Sequence, residues 1–291
     1  MSKCTMCPRK CGRDREKERG ICGADKNVRI ARVGLHEWEE PCISYGKGSG
    51  TVFFSGCSLG CVFCQNHEIS GGLSGRDVSP EELCDIFLSV RDMQAVNLNL
   101  VNPTHYSLDI ARALYKIKEK LGIPVVYNTG GYDSTETLKE FYGLVDIYLP
   151  DIKYYSPEYS LKYSGAKDYF AVAEKAVSEM FSQVGYPVFD NEGHMKSGVL
   201  IRHLVLPALY RDSMAILDSL ANTYDREKLY VSIMRQYFPT YKAFDFPEIS
   251  RRLTTLEYQK VVNHARSLGI VNGFTQEKSS AKEEYVPKFD F

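Results

Sequence analysis

The sequence predicts an α/β protein: a partial, open parallel (β/α)6 barrel behind a small cysteine-rich, metal-binding amino-terminal extension. Three observations carry this expectation. After residue 50, strand-like apolar runs alternate six times with helical patterns over short connections, which argues for βαβ units and a parallel sheet. The length, 291 residues, suits one such barrel. All nine cysteines fall within the first 84 residues, seven of them in two tight groups, a distribution that scattered core thiols do not produce.

Residues 1–45 are polar, basic at the start and without sustained periodicity, so they are read as a metal-stapled extension too short to build its own core. Residues 46–270 are read as the barrel and 271–291 as a tail. Within the barrel, TVFFSG (51–56) is the first strand, running into a cysteine loop. The helix over 79–93 opens with Ser79 as N-cap, Pro80 at the first helical position and Glu82 completing a capping box. AVNLNLV (95–101) is a strand, and 106–122 a helix stopped by Gly122. Strands follow at 124–132 and 144–153 around a short helix at 134–142. A helix at 167–184, a strand at 199–207, a helix at 212–222, a strand at 229–234 and a helix at 254–268 complete the pattern. Right-handed crossovers curl such a sheet into an open barrel with its ligand site at the carboxyl ends of the strands.

Hydrophobic residues at 44%, charged residues at 25% and a net charge of −1 give ordinary globular composition, and nothing global points to nucleic acid or a membrane surface. The start, MSKCTMCPRKCGRDR, has no apolar run of signal-peptide length, and no later segment is apolar enough to span a bilayer, so a cytoplasmic location is expected. A reducing compartment disfavours disulfides and turns the cysteines toward metal or catalytic roles.

CSLGCVFCQN (57–66) places Cys57, Cys61 and Cys64 in Cys-x3-Cys-x2-Cys spacing directly after a strand. A [4Fe–4S] cluster ordinarily takes four cysteines; three leave one iron open to a ligand. The alternative from spacing alone is a zinc knuckle closed by His67. Cys4, Cys7, Cys11 and Cys22 form a second group, Cys-x2-Cys-x3-Cys-x10-Cys, able to hold a second iron–sulfur cluster or a zinc ion. Pro8, Gly12, Gly20 and Gly23 beside these ligands suit tight wrapping. Cys84 lies on an amphipathic helix and reads as core; Cys42, after Pro41, reads as structural, with a redox role open, and Trp38 reads as packing.

The Cys-x3-Cys-x2-Cys motif with Phe63 before its last cysteine resembles the signature of the radical S-adenosylmethionine (AdoMet) superfamily. That resemblance implies an open iron that chelates AdoMet, reductive cleavage to a 5′-deoxyadenosyl radical, and hydrogen abstraction from a substrate. It implies AdoMet contacts at successive strand ends. NPTHY, with Asn102 and Thr104, stands where the family commonly has glycines. YNTGGY contributes Asn128 and Thr129, and LPDIK contributes Asp151 and Lys153. IRHLVLPALYRDS, through Ser213, resembles the Arg-x4-Pro-x4-Asp-Ser segment of glycyl-radical-enzyme activases, with Arg202 neutralising an AdoMet carboxylate. Arg202 and His203 point to opposite faces of their strand, so at most one faces the interior, and the resemblance to the activases implies that it is Arg202. Read singly, the Asn-Thr-Gly-Gly run is an ordinary turn and Asp151–Lys153 a surface ion pair; it is their order along the chain that favours the site.

With the Cys4, Cys7, Cys11 and Cys22 segment, HEWEEPCISYGKGSG and PTHY, most of the chain resembles pyruvate formate-lyase activating enzyme-like proteins. Three functions compete: activation of a glycyl radical enzyme, with a flavodoxin- or ferredoxin-like electron donor; radical modification of a small molecule or peptide; and a non-catalytic metal-binding module.

Overall fold

The computed structural model describes residues 3–277, together with Ser280 and Phe289. Its strands, in chain order, are β1 (Val28–His36), β2 (Ser49–Phe54), β3 (Arg76–Val78), β4 (Leu98–Val101), β5 (Val125–Thr129), β6 (Ile147–Pro150), β7 (Val188–Phe189), β8 (Met195–Leu204), β9 (Tyr230–Met234) and β10 (Asn272–Thr275). The helices are α1 (His67–Ser70), α2 (Pro80–Asp92), α3 (Ser107–Leu121), α4 (Thr135–Leu138), α5 (Pro157–Ser164), α6 (Tyr169–Val184), α7 (Tyr210–Thr223) and α8 (Thr255–Ser267). The sheet runs β10-β9-β8-β6-β5-β4-β2-β1-β3, with β2 through β10 parallel along this path, β1 antiparallel to both β2 and β3, and β7 antiparallel to β8. This is an open, mostly parallel barrel, as expected.

The helices form where capping and periodicity agree. Ser79 accepts the Glu82 N–H and Glu82 accepts the Ser79 N–H, with Pro80 at the first turn. Gly122 ends α3 in the left-handed conformation, φ 68°. Each strand then divides its side chains between two layers. Val125, Tyr127, Tyr148, Val199, Ile201 and Val231 face the helices and join the main core. Val126, Ile147, Leu149 and Leu200 face inward, where Cys42, Ile43 and Met195 pack against them. The segment after β1 thus crosses and plugs the base of the barrel. Truncating one of these fully buried leucines to alanine is expected to cost about 2–5 kcal/mol.

Some elements differ from the sequence reading. Val28–His36, read as part of the irregular extension, is a long strand of the main sheet; a register shift between Ile30 and Arg32 breaks its alternation. Asn272–Thr275, read as tail, adds a seventh parallel strand beside β9, short and glycine-containing. The helix expected over 134–142 is a single turn, α4, followed by a 3-10 turn at Lys139–Phe141. Much of the expected tail, at 278–279, 281–288 and 290–291, lies outside the described residues. Among the described residues no helix is long and apolar enough to cross a membrane.

Candidate active site

β2 delivers its carboxyl end into the first cysteine loop through Gly56, whose φ of +98° and close approach admit no side chain: a Cβ there would lie 2.5 Å from the Cys22 carbonyl oxygen. Cys57, Cys61 and Cys64 all line one cavity of about 660 Å³ at the carboxyl ends of the strands. Cys61 is buried, the other two half-buried. Each sulfur has a donor beside it: the Leu59 N–H reaches Cys57 Sγ at 3.4 Å, the Ser164 hydroxyl reaches Cys61 Sγ at 3.0 Å, and the Asn66 backbone N–H serves Cys64. Burial pushes the Cys64 thiol up to about 12, with the charges of Cys61 and Cys57 adding to it; burial likewise raises Cys61. Three thiolates together therefore need a cationic centre, and the donors on their sulfurs suit that state.

His67 is not a fourth ligand. Its ring stacks on Tyr241 at 5.0 Å, its Nδ1 lies 3.2 Å from the Cys64 carbonyl oxygen, and it does not line the cavity. Among the described residues, no three His, Cys, Asp or Glu side chains converge closely enough to hold a single metal ion. Phe63 is buried between Tyr154 and Tyr237, ring centroids 6.3 and 6.0 Å away, and reaches the cavity wall.

The inward positions that are apolar at the base turn polar toward the cavity. Two residues beyond Val126, Leu149 and Leu200 come Asn128, Asp151 and Arg202, all lining the cavity. Arg202 is the hub. Its Nε donates to Asp151 Oδ1 at 2.8 Å, Nη1 to Glu39 Oε2 at 2.9 Å and Nη2 to Asn128 Oδ1 at 2.7 Å. Lys153 Nζ takes the other oxygen of Asp151 at 2.5 Å. Burial opposes every charge here, yet Arg202 and Lys153 hold the Asp151 carboxyl below its usual range, and the carboxylates raise both cations. Removing one partner from so buried a network costs about 3–5 kcal/mol. His203 faces the other way and its Nδ1 sits 2.6 Å from the Ile152 carbonyl oxygen.

The remaining expected contacts divide. Asn102, in the left-handed region at φ 58°, lines the cavity and donates to the Gly56 carbonyl at 2.5 Å. Thr129 lines the cavity, but its hydroxyl donates to Asp133 Oδ2 at 2.6 Å. Thr104 does not line it; its hydroxyl donates to Asp133 Oδ1 at 2.7 Å, joined by the Tyr127 hydroxyl at 3.0 Å. Asp133, unremarked in the sequence reading, thus buckles the ends of β4 and β5 together. Also unforeseen are Glu39 and Glu40, which the base-crossing segment raises into the cavity. Glu39 Oε1 accepts from Asn99 and Asn128 at 3.0 and 3.1 Å. The adjacent acidic pair in HEWEEPC was the available signal, but nothing local says that the segment enters the barrel.

The second cysteine group docks on the first. The Cys57 N–H donates to the Cys22 carbonyl at 3.0 Å. Arg9 spans the joint, donating to the carbonyls of Ser58 at 2.8 Å, Ser164 at 2.6 Å and Gly165. Arg15 donates to the His105 carbonyl at 2.7 Å and lies over the Tyr106 ring. Within the group, burial pushes the Cys7 thiol up to about 12, reinforced by Cys22, Cys4 and Cys11. Cys11 is lowered: burial raises it, but the N–H groups of Arg13 and Ile21 and a contact with Cys4 outweigh that. A Cβ at Gly20 would sit 3.2 Å from Cys22 Sγ and 3.7 Å from Cys11 Sγ, filling the space those sulfurs share.

An open parallel barrel with three thiols over a polar cavity at its strand ends defines an enzyme barrel built for a sulfur-ligated metal cofactor. Residues 51–196 match the Radical SAM superfamily domain. An uncharacterized protein of Methanocaldococcus jannaschii is 32% identical over 277 residues, spanning 92% of this chain and 75% of the relative. The chain belongs to the radical SAM superfamily, whose members use a [4Fe–4S] cluster and AdoMet. The fold is similar to crystal structures of methylornithine synthase, TM-score 0.50 at 14% identity over 75% of this chain and 68% of that one, and of HydG, a maturase of the [FeFe]-hydrogenase, TM-score 0.50 at 16% identity over 79% and 52%.

Proposed function

We propose that this protein uses its three-thiol loop and AdoMet to abstract hydrogen from a small molecule held in the barrel. The observation that carries this reading is the cavity itself. Glu39, Glu40 and Pro41 line its floor and Arg202, Asn128 and Asp151 its wall, with Phe53 and Phe274 beside them, a cleft of mixed polarity whose size suits a small substrate. Cys57, Cys61 and Cys64 would hold the cluster, leaving one iron for AdoMet. When bound, these cofactors supply the radical chemistry. The chain's own part is binding, orientation and exclusion of water. Arg202 would add an AdoMet carboxylate to its present partners Asp151, Glu39 and Asn128, Lys153 would balance charge beside Cys61, and Phe63 would seal the wall against water. Cys4, Cys7, Cys11 and Cys22 would hold a second iron–sulfur cluster, fed by a flavodoxin- or ferredoxin-like donor.

The test is deuterium transfer. Anaerobically reconstituted, reduced protein is incubated with AdoMet and deuterated small-molecule fractions, and 5′-deoxyadenosine is examined for label. Label from a metabolite supports the reading; cleavage that takes label from no small molecule opposes it. A second reading, activation of a glycyl radical enzyme, is favoured by the Arg202–Ser213 segment. Its Asp212, however, already accepts the Tyr155 and Ser156 N–H groups at 2.8 Å, a local structural duty. Co-expression with candidate partners and paramagnetic resonance test it: a glycyl doublet supports activation, and silence in every partner counts against it.

A further inference from the structure

Among the described residues lining the cavity, four carboxylates (Glu39, Glu40, Asp151, Glu277) face two cations, Lys153 and Arg202. Asp151 engages both cations and Glu39 engages Arg202. Glu40 is left over. It is only 7% exposed, yet its Oε2 has no hydrogen-bond partner and lies 4.0 Å from Arg202 Nη1, outside hydrogen-bonding range. Buried carboxylate oxygens are ordinarily bonded, because an unsatisfied one bears its full desolvation cost. The same floor carries Trp38 and Pro41, and Phe53 and Phe274 line the wall, so an apolar body can rest beside the charge.

Resting on the small-molecule reading above, we propose that Glu40, flanked by Glu39, is the specificity-determining residue for a cationic nitrogen of the substrate, an ammonium or guanidinium group. A donor from the cavity gives Oε2 the partner it lacks and matches the excess of carboxylates. An aliphatic amine with a short carbon chain fits both the charge and the apolar wall. The sulfonium cofactor also bears an ammonium group, so the same chemistry has two sources, and the experiment separates them.

Reconstituted enzyme saturated with AdoMet is titrated calorimetrically with 1,4-diaminobutane and with its uncharged isostere 1,4-butanediol; AdoMet affinity is measured separately. The diamine is expected to bind at least tenfold more tightly than the diol, and Glu40→Gln to weaken the diamine by roughly tenfold or more, the loss expected for a charged hydrogen bond. AdoMet affinity should change less than threefold. Equal binding of diamine and diol overturns the proposal, and so does a Glu40→Gln variant that weakens AdoMet as much as the diamine, which assigns the carboxylate to the cofactor. Should that variant fail to fold, Glu40→Asp keeps the charge at shorter reach and is expected to give an intermediate loss; unchanged diamine affinity there overturns the proposal. Dithionite-driven AdoMet cleavage by the wild-type protein without any probe reports on the radical reading independently.

Discussion

The two cysteine loops meet at one hydrogen bond, Cys57 N–H to Cys22 carbonyl, yet they differ in what surrounds their sulfurs. The later loop has three thiols, each with a donor, all lining the cavity, and its nearest spare ligand, His67, is turned onto Tyr241. The earlier loop has four thiols gathered around glycine turns, and none lines the cavity. An incomplete ligand set beside a cavity suits a centre that must bind something else. Four cysteines away from it, too spread to close on a single ion, would suit a multi-iron centre that stays closed, for structure or electron passage.

The strongest way to break this contrast is to remove the thiols of each loop in turn. Replacing Cys57, Cys61 and Cys64 together by alanine is expected to abolish AdoMet cleavage and remove about four irons per chain. Replacing Cys7 and Cys22 by serine should remove the other iron, again about four, while dithionite-driven cleavage persists; loss of cleavage there would make the loops one functional unit. Next in size, Arg202→Lys should weaken AdoMet about 10–100-fold, measured by equilibrium binding, because an ammonium cannot reproduce the guanidinium's simultaneous contacts with Asp151, Glu39 and Asn128 that order the cavity wall. The smallest effect probes the joint. Gly56→Ala should cost on the order of 2–3 kcal/mol, read by denaturant unfolding, since the new Cβ meets the Cys22 carbonyl at a φ that alanine disfavours.

Local signals made the barrel and its three-cysteine loop, Cys57, Cys61 and Cys64, legible in the sequence. Capping at Ser79 and Gly122 is a short-range fact, and two-residue alternation puts Arg202 and His203 on opposite faces; the activase resemblance chose Arg202 as the inward one, and it lines the cavity while His203 does not. The floor of the cavity was not legible. Glu39 and Glu40 reach it only because the segment after β1 crosses the base of the barrel, a long-range path that no periodicity encodes. Thr104 shows the converse: a strand-end hydroxyl that looks like a cofactor contact is bonded to Asp133, whose buried carboxylate needed donors. His67 lies three residues past Cys64, near enough in sequence to close a zinc site, but stacking with Tyr241 carries its ring out of the cavity.

The most direct test of the three-thiol centre is quantitation of 5′-deoxyadenosine and methionine formed by anaerobically reconstituted, dithionite-reduced protein given AdoMet. Equimolar formation of both, lost when Cys57, Cys61 and Cys64 are replaced, is the predicted result. Protein that carries its full iron and sulfide yet leaves AdoMet intact would contradict it.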